Sequence, residues 1–332
     1  HLRGLIDAQT AGRHYADLAR AVLSVLWPVV VEEFATRHGP PPGRGAVILG
    51  MGSLGAGMLT ATSDLDMIVI YDPGDDEGSD GPRPLATRPY FARLTQAMIT
   101  AMTAPMSQGK LYEVDMRLRP SGNQGPVATS LAAFRSYQRE QAWVWEHLAL
   151  TRAAIVAGPA DLGEDVEALR REIIGRETAG PGIVEEMARM RTRIADAKSP
   201  HGPFDAKIGP GRLQDIELLA QAGALVAGET AGDVPAGLRA GVRAGLLNED
   251  EARVLEACYD NCWALQCAAR LLSSKPIDAD RLGQAGIAFL CRSLGVDDLP
   301  ALERKMLDTY KTAREQIDRA ISRSVGASAG QE

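Results

Sequence analysis

Apolar positions recur at helical spacing from Tyr15 to Phe34, where Leu18, Val22, Leu26, Val29 and Val30 line one side and Pro28 predicts a kink. The stretch RHGPPPGRG, from Arg37 to Gly45, breaks that pattern. Beyond it, Ala46 to Leu49 and Leu65 to Tyr71 read as short buried strands, separated from the next element by the acidic, glycine-rich loop Asp72 to Pro84. Thr87 is expected to cap a helix running to Met102, and Gly109 to Leu118 alternates as a third strand. From Ser130 the pattern turns helical almost to the end, over Ser130–Gln141, Trp143–Val156, Glu164–Ile174, Ile183–Ala197, Leu213–Leu225, Glu249–Leu272 and Leu299–Ile321. The acidic stretches NEDE at Asn248 and DDLP at Asp297 predict helix starts, and only the tail GASAGQE is of low complexity. This is an α+β plan without the regular strand–helix alternation of a doubly wound sheet. It predicts a long N-terminal helix and a small mixed sheet over residues 1–160, then an all-helical bundle over 161–332.

Composition narrows the partners. At 332 residues the chain can hold two cores, and its 45% hydrophobic and 24% charged residues are ordinary for a globular protein. A net charge of −7 with no basic patch argues against nucleic acid as a partner. No segment is long and apolar enough to predict a membrane span, and no signal peptide opens the chain, which starts at His1 and is expected to be a processed product or a piece of something longer. Cys258, Cys262, Cys267 and Cys291 form no CxxC pair and read as reduced core thiols of a cytoplasmic protein.

The chemistry concentrates in GMGSLGAGMLTATSDLDMIVIYD, from Gly50 to Asp72. Asp64 and Asp66 project from one face of a strand entrance, and two carboxylates that close are favourable only with a cation between them. Hard oxygen ligands suit Mg²⁺ or Mn²⁺, which complete their shells with phosphates. The third strand adds Asp115, with Glu113 two residues earlier on the same face. Gly50, Gly52 and Gly55 permit a tight turn at which Ser53 approaches a phosphate, and Arg117 and Arg119 offer bidentate phosphate contacts. The alternative for each residue is structural: Asp64 capping a turn, Asp66 on a solvated edge, Asp115 paired with an arginine.

With these motifs in hand, the chain resembles nucleotidyltransferases of the polymerase-beta type and, more narrowly, the glutamine synthetase adenylyltransferase family. The resemblance rests on the Gly50–Asp72 stretch, on LYEVDMRLRPSGNQGPV and YQREQAWVWEHLALTRAAIVAG, and more loosely on FDAKIGPGRLQDIELLAQ. It implies a nucleotidyltransferase domain followed by a helical domain, with Asp64, Asp66 and Asp115 as metal-binding, catalytic carboxylates. Gly52, Ser53, Ser63, Arg117, Arg119 and Lys207 are then the expected nucleotide-binding residues. Family members have two similar halves, one adding AMP from ATP to a tyrosine of glutamine synthetase and one removing it by phosphorolysis. The phrase WEHLALTRAAIVAG is similar to the adding half. A PII-type regulatory protein is a further implied partner.

Two departures stand out. The family usually has GKLG where this chain has Gly52-Ser53-Leu54-Gly55, which removes a phosphate-facing charge. It usually has paired glycines where this chain has Gly211-Arg212, so Arg212 is expected to restrict a bend near Lys207, Asp215 and Glu217. Those three read either as a second polar cluster of the cleft or as an interdomain salt-bridge network. His147 reads as a packed helix residue, Glu146 and Arg152 as bridges between the domains, and Trp27 and Trp263 as core. Phosphorolytic removal of AMP, and a non-catalytic docking module, are the competing functions.

Overall fold

The computed structural model describes residues 1–176 and 180–329. Its elements run α1 (Ala8–His38), β1 (Gly45–Gly50), α2 (Gly52–Gly55), β2 (Leu65–Asp72), α3 (Thr87–Thr103), β3 (Val114–Asp115), β4 (Ala128–Ser130), α4 (Leu131–Glu140), α5 (Val144–Leu150), β5 (Ala154–Ala157) and α6 (Ala160–Ile174). A helical series follows: α7 (Gly180–Ala197), α8 (Leu213–Val226), α9 (Val234–Arg243), α10 (Glu249–Leu272), α11 (Gln284–Leu294) and α12 (Leu299–Ala329). The last three residues of the tail GASAGQE lie outside the described residues; α12 takes in residues 326–329. The chain separates into a sheet unit, Ala16–Gly57 with Ser63–Ile174, and a helical unit, His1–Tyr15, Met58–Thr62 and Gly175–Glu332.

In the sheet unit the strand order is β3-β2-β1-β5, with β4 also on β2. Strand β1 is buried along its whole length and pairs antiparallel with β2, Ile48 facing Val69. β2 pairs parallel with β3 at its start and with β4 further on. The sheet is therefore mixed, as the alternation of apolar runs and loops predicted. Tyr71 stacks on Phe91 of α3 with ring centroids 4.2 Å apart, joining helix and sheet in one core.

Three expectations need correction. Thr87 is the first helical residue and Ala86 holds the N-cap position; the Thr87 hydroxyl instead donates to the Asp76 carbonyl at 2.8 Å. The third strand shrinks to Val114–Asp115, because the Asp115 side chain accepts from the Arg117 amide at 2.8 Å and draws the chain out of the ladder, and Pro120 then has no amide to offer. Trp143–Val156 is not one helix: α5 stops at Leu150, and Ala154–Ala157 becomes β5, which covers the second edge of β1. A buried central strand leaves its backbone groups unpaired without that partner, and this outweighs the local helical pattern.

In the helical unit α10 spans Glu249–Leu272 as predicted, opened by a reciprocal capping box between Asn248 and Glu251. Asp298 caps α12 through the Ala301 amide at 2.7 Å. Helices α9 and α11 lie outside the segments that apolar spacing predicts to be helical. The local signals are an Asp233 N-cap and a proline at the first turn for α9, and for α11 the left-handed Gly295 that ends it. The four cysteines are buried, and Trp263 donates its indole N–H to the Ala8 carbonyl at 3.0 Å. Trp27, in the sheet unit, is also buried.

Candidate active site

The site forms where β1 ends, turns through α2 and the following loop, and re-enters the sheet as β2. Gly52 has φ +52, and a Cβ placed there would lie 2.5 Å from Oδ2 of Asp66. Glycine is thus required twice, for the left-handed backbone and for the close approach of the turn to the carboxylate. The Met51 amide fixes the same approach by donating to the Asp66 carbonyl at 2.8 Å. Asp66 pairs in register with Asp115 across the parallel β2–β3 ladder. Register partners project to the same face of strands about 4.8 Å apart, so these two carboxylates stand abreast. Asp64 is exposed at the strand entrance with half-buried Ser63 before it, and half-buried Ser53 occupies the turn.

Asp115 is engaged by its neighbour. Its Oδ1 accepts from the Arg117 amide, and its Oδ2 accepts from Arg117 Nε at 2.7 Å and from the same guanidinium's Nη2. The Arg117 hydrogen bond holds the Asp115 carboxyl below the usual carboxylate range, against a smaller opposing effect of burial. Asp115 is accordingly a weak base in this arrangement. The Arg117 guanidinium is held charged first by Asp115, with Asp64 and Asp66 adding to the field. Its side chain is 72% exposed, whereas that of Asp115 is 13% exposed. Arg119 turns back into its own loop, donating to the carbonyls of Met116 at 2.7 Å and Gly125 at 3.3 Å. Glu113 points to solvent and pairs with Lys110.

Among the described residues, no three His, Cys, Asp or Glu side chains already form a metal-binding group. The donor chemistry nonetheless suits a hard divalent cation: two carboxylates abreast, a third at the strand entrance, and a glycine that leaves room at Asp66. The obstacle to three-fold convergence is Arg117, which occupies Asp115.

Other predicted residues fall elsewhere. Lys207 belongs to the helical unit, exposed, with its amide on Asp205 Oδ1 at 3.1 Å. Asp215 is buried; it accepts from Arg191 Nε and from the Gly211 amide, both at 2.6 Å, and so belongs to the packing of α7 and α8. Glu217 is half-buried on α8. Arg212 does not restrict the bend: Gly211 supplies it with φ +72, and Arg212 sits at the N-cap with φ −97, open to any residue. Its guanidinium lies 4.1 Å from the Tyr310 ring centroid and donates to the Gly202 carbonyl at 3.1 Å. His147 contacts the Gln138 carbonyl at 3.0 Å through Nε2, as a packed residue should. Glu146 caps α5 through the Trp143 amide and accepts the Tyr137 hydroxyl at 2.9 Å, both within the sheet unit. The residue that sequence patterning misses is Arg20 of α1, which reaches the α2 turn. Its only sequence signal is a cation next to the Ala16, Ala19, Leu23, Trp27 stripe.

Fold and site together define the class, an α+β protein whose small mixed sheet carries a Gly-Ser turn and paired strand carboxylates, with a helical unit besides. A family model for glutamate-ammonia ligase adenylyltransferase matches residues 1–169, and one for GlnD PII-uridylyltransferase matches residues 184–324. The chain belongs to the glutamate-ammonia ligase adenylyltransferase family. It is similar to the bifunctional glutamine synthetase adenylyltransferase/adenylyl-removing enzymes of Mesorhizobium japonicum, 38% identical over 324 residues, and of Rhizobium meliloti, 39% identical over 322. These alignments cover 96% and 94% of this chain but 33% and 32% of the relatives, so the chain spans about a third of their length.

Proposed function

We propose that the chain transfers AMP from ATP to a tyrosine hydroxyl of glutamine synthetase and releases pyrophosphate. The observation that carries this reading is the contact of the Gly52 turn with Asp66 while Asp66 stands in register with Asp115. That arrangement puts a backbone turn able to approach a phosphate beside carboxylates able to hold a cation. Asp64, Asp66 and Asp115 would hold Mg²⁺ or Mn²⁺, which when bound neutralises the triphosphate and lowers the barrier to attack at phosphorus.

The tyrosine oxygen attacks the α-phosphorus in line, the new O–P bond forming as the bond to the β-phosphate oxygen breaks. Gly52 and Ser53 position the phosphates, and Arg117 meets the negative charge that develops on them. As Arg117 turns from Asp115 to the triphosphate, an Asp115 oxygen is released to receive the hydrogen bond of the tyrosine hydroxyl and orient it for attack. The helical unit, with its likeness to PII-uridylyltransferases, is proposed to receive a PII-type regulatory protein. Four buried free thiols suit a cytoplasmic setting.

Mass spectrometry of glutamine synthetase after incubation with the chain, ATP and Mg²⁺ tests the proposal. One added AMP on a tyrosine is expected. An unmodified product, together with loss of AMP from pre-adenylylated enzyme in the presence of phosphate, would assign the reverse activity instead.

A further inference from the structure

We infer that Arg20, outside every motif of the chain, is a positioning residue for the nucleotide turn. Its Nη2 donates to two successive carbonyls at the end of α2, Leu54 at 3.1 Å and Gly55 at 2.9 Å. The same guanidinium lies over Gly57, whose φ is +68 and where an added Cβ would come within 3.4 Å of Nη2. Arg20 Nε is buried without a partner, so the side chain accepts a cost to hold this contact. It is set on α1 beside Ala16, Ala19, Leu23 and Trp27, all of them buried.

The turn is gripped at three points, each of a different kind. At its start Gly52 rests on the Asp66 carboxylate. In its middle Leu54 is wholly buried, and at its end a Cβ on Gly55 would strike the Arg152 carbonyl at 2.5 Å. Arg20 supplies the third grip, a charged donor on the Gly55 carbonyl and on the Leu54 carbonyl, which also accepts from the Gly57 amide at 3.2 Å. Without it, the end of the turn keeps the packing of Leu54 and Gly55 but loses the charged donor on its carbonyls, and the distance of Gly52 and Ser53 from Asp66 loosens.

This inference rests on the nucleotidyl-transfer reading and adds the residue that makes the turn rigid. A turn that contacts the phosphates alike in the ground state and the transition state affects KM rather than kcat. Arg20→Met is therefore expected to weaken ATP binding in the presence of Mg²⁺ by about tenfold, the worth of one charge-assisted hydrogen bond. Arg20→Lys keeps a charged donor in reach of both carbonyls and should recover binding to within about threefold of the parent chain. Arg20→Gln, close in size but neutral, should resemble Arg20→Met.

Calorimetric titration of the 332-residue chain and the three variants with ATP and Mg²⁺ reads these constants, and thermal melts report folding separately. Weaker binding in the Met and Gln variants, restored in the Lys variant, supports the assignment. Equal binding by all four chains overturns it and leaves the nucleotidyl-transfer reading intact. No ATP binding by the parent chain would remove that reading and this inference together. If Arg20→Met fails to fold, the Lys and Gln pair still separates charge from bulk.

Discussion

Two aspartate–arginine pairs in this molecule have the same chemistry and opposite character. Asp115–Arg117 joins residues two apart on an exposed corner, with the arginine side chain 72% exposed. Asp215–Arg191 joins α8 to α7 with side chains 5% and 18% exposed, and Arg191 makes a second pair with Asp318 at 2.5 Å. The first arginine can leave at little cost, because water replaces what it gives up. The second cannot, because either partner alone would be a buried uncompensated charge. Both aspartates lie in stretches that carry the family resemblance, and both stand by a glycine bend, but Asp215 spends its oxygens on the Gly211 amide and the half-enclosed Arg191, whereas the partner of Asp115 is open to water. On the proposed reading, it is the displaceable partner that lets a motif aspartate serve as a site.

The largest expected effect lies at the exchangeable corner. Asp66→Asn should lower AMP transfer to glutamine synthetase by about a thousandfold while leaving the melting temperature within about 4 °C of the parent. Transfer assayed with radiolabelled ATP would check it. Retained transfer would remove the carboxylate assignment and with it the contrast between the two pairs.

Next comes the buried pair. Asp215→Ala leaves Arg191 with Asp318 alone and orphans the Gly211 amide, which is otherwise bound at 2.6 Å. A loss of about 3 kcal/mol in urea unfolding is expected. The natively folded fraction should keep ATP affinity. Lost affinity without lost stability would instead place Asp215 in the cleft.

These contrasts also explain what the amino-acid sequence reveals by itself. The first two strands and α10 are legible because each has a continuous apolar pattern and its own boundary signals, such as RHGPPPGRG and the Asn248 cap; the first helix is legible as a helix, but not its buried face, since Leu18 and Val29 of the expected stripe are exposed and α1 buries Ala16, Ala19, Leu23 and Trp27. The Gly52 turn and the carboxylates beside it are legible as a pattern because close backbone approach demands glycine, and a pair of acids at a buried strand demands compensation. What is not legible depends on partners distant in sequence. Residues 154–157 are a strand because β1 needs a second neighbour, and β3 is short because of where the Asp115 side chain turns. Arg20 is silent because nothing at position 20 announces that its guanidinium meets carbonyls more than thirty residues away. The opposed characters of Asp115 and Asp215 are likewise a matter of burial, which no spacing encodes.

A smaller effect sharpens the idea of displacement itself. If Arg117 holds the place of a cation at Asp115, then Arg117→Gln should bind Mn²⁺ about fivefold more tightly than the parent in the absence of nucleotide, as read by electron paramagnetic resonance. The same variant should bind ATP more weakly, since the guanidinium is lost from the triphosphate. Arg117→Lys retains charge without the fork and should fall between. Weaker Mn²⁺ binding in Arg117→Gln would mean that Arg117 orients Asp115 for the metal rather than competing with it.

The smallest effect concerns stability against pH. Asp115 is held below its ordinary value of 3.8 by the Arg117 hydrogen bond, so the native state favours its ionised form. That contribution is complete above 3.8 and disappears as pH falls through the depressed native value, where folded and unfolded chains alike carry the protonated acid. Because the arginine is exposed, the contribution is at most about 1 kcal/mol. Asp115→Asn should therefore lie slightly below the parent in urea unfolding at pH 7, with the gap closing as acid protonates Asp115 in the parent chain. A gap that persists unchanged at low pH would show that the asparagine disturbs packing at the start of β3, not an ion pair. In that case the corner would be fixed like the buried pair, and the contrast between the two would fail.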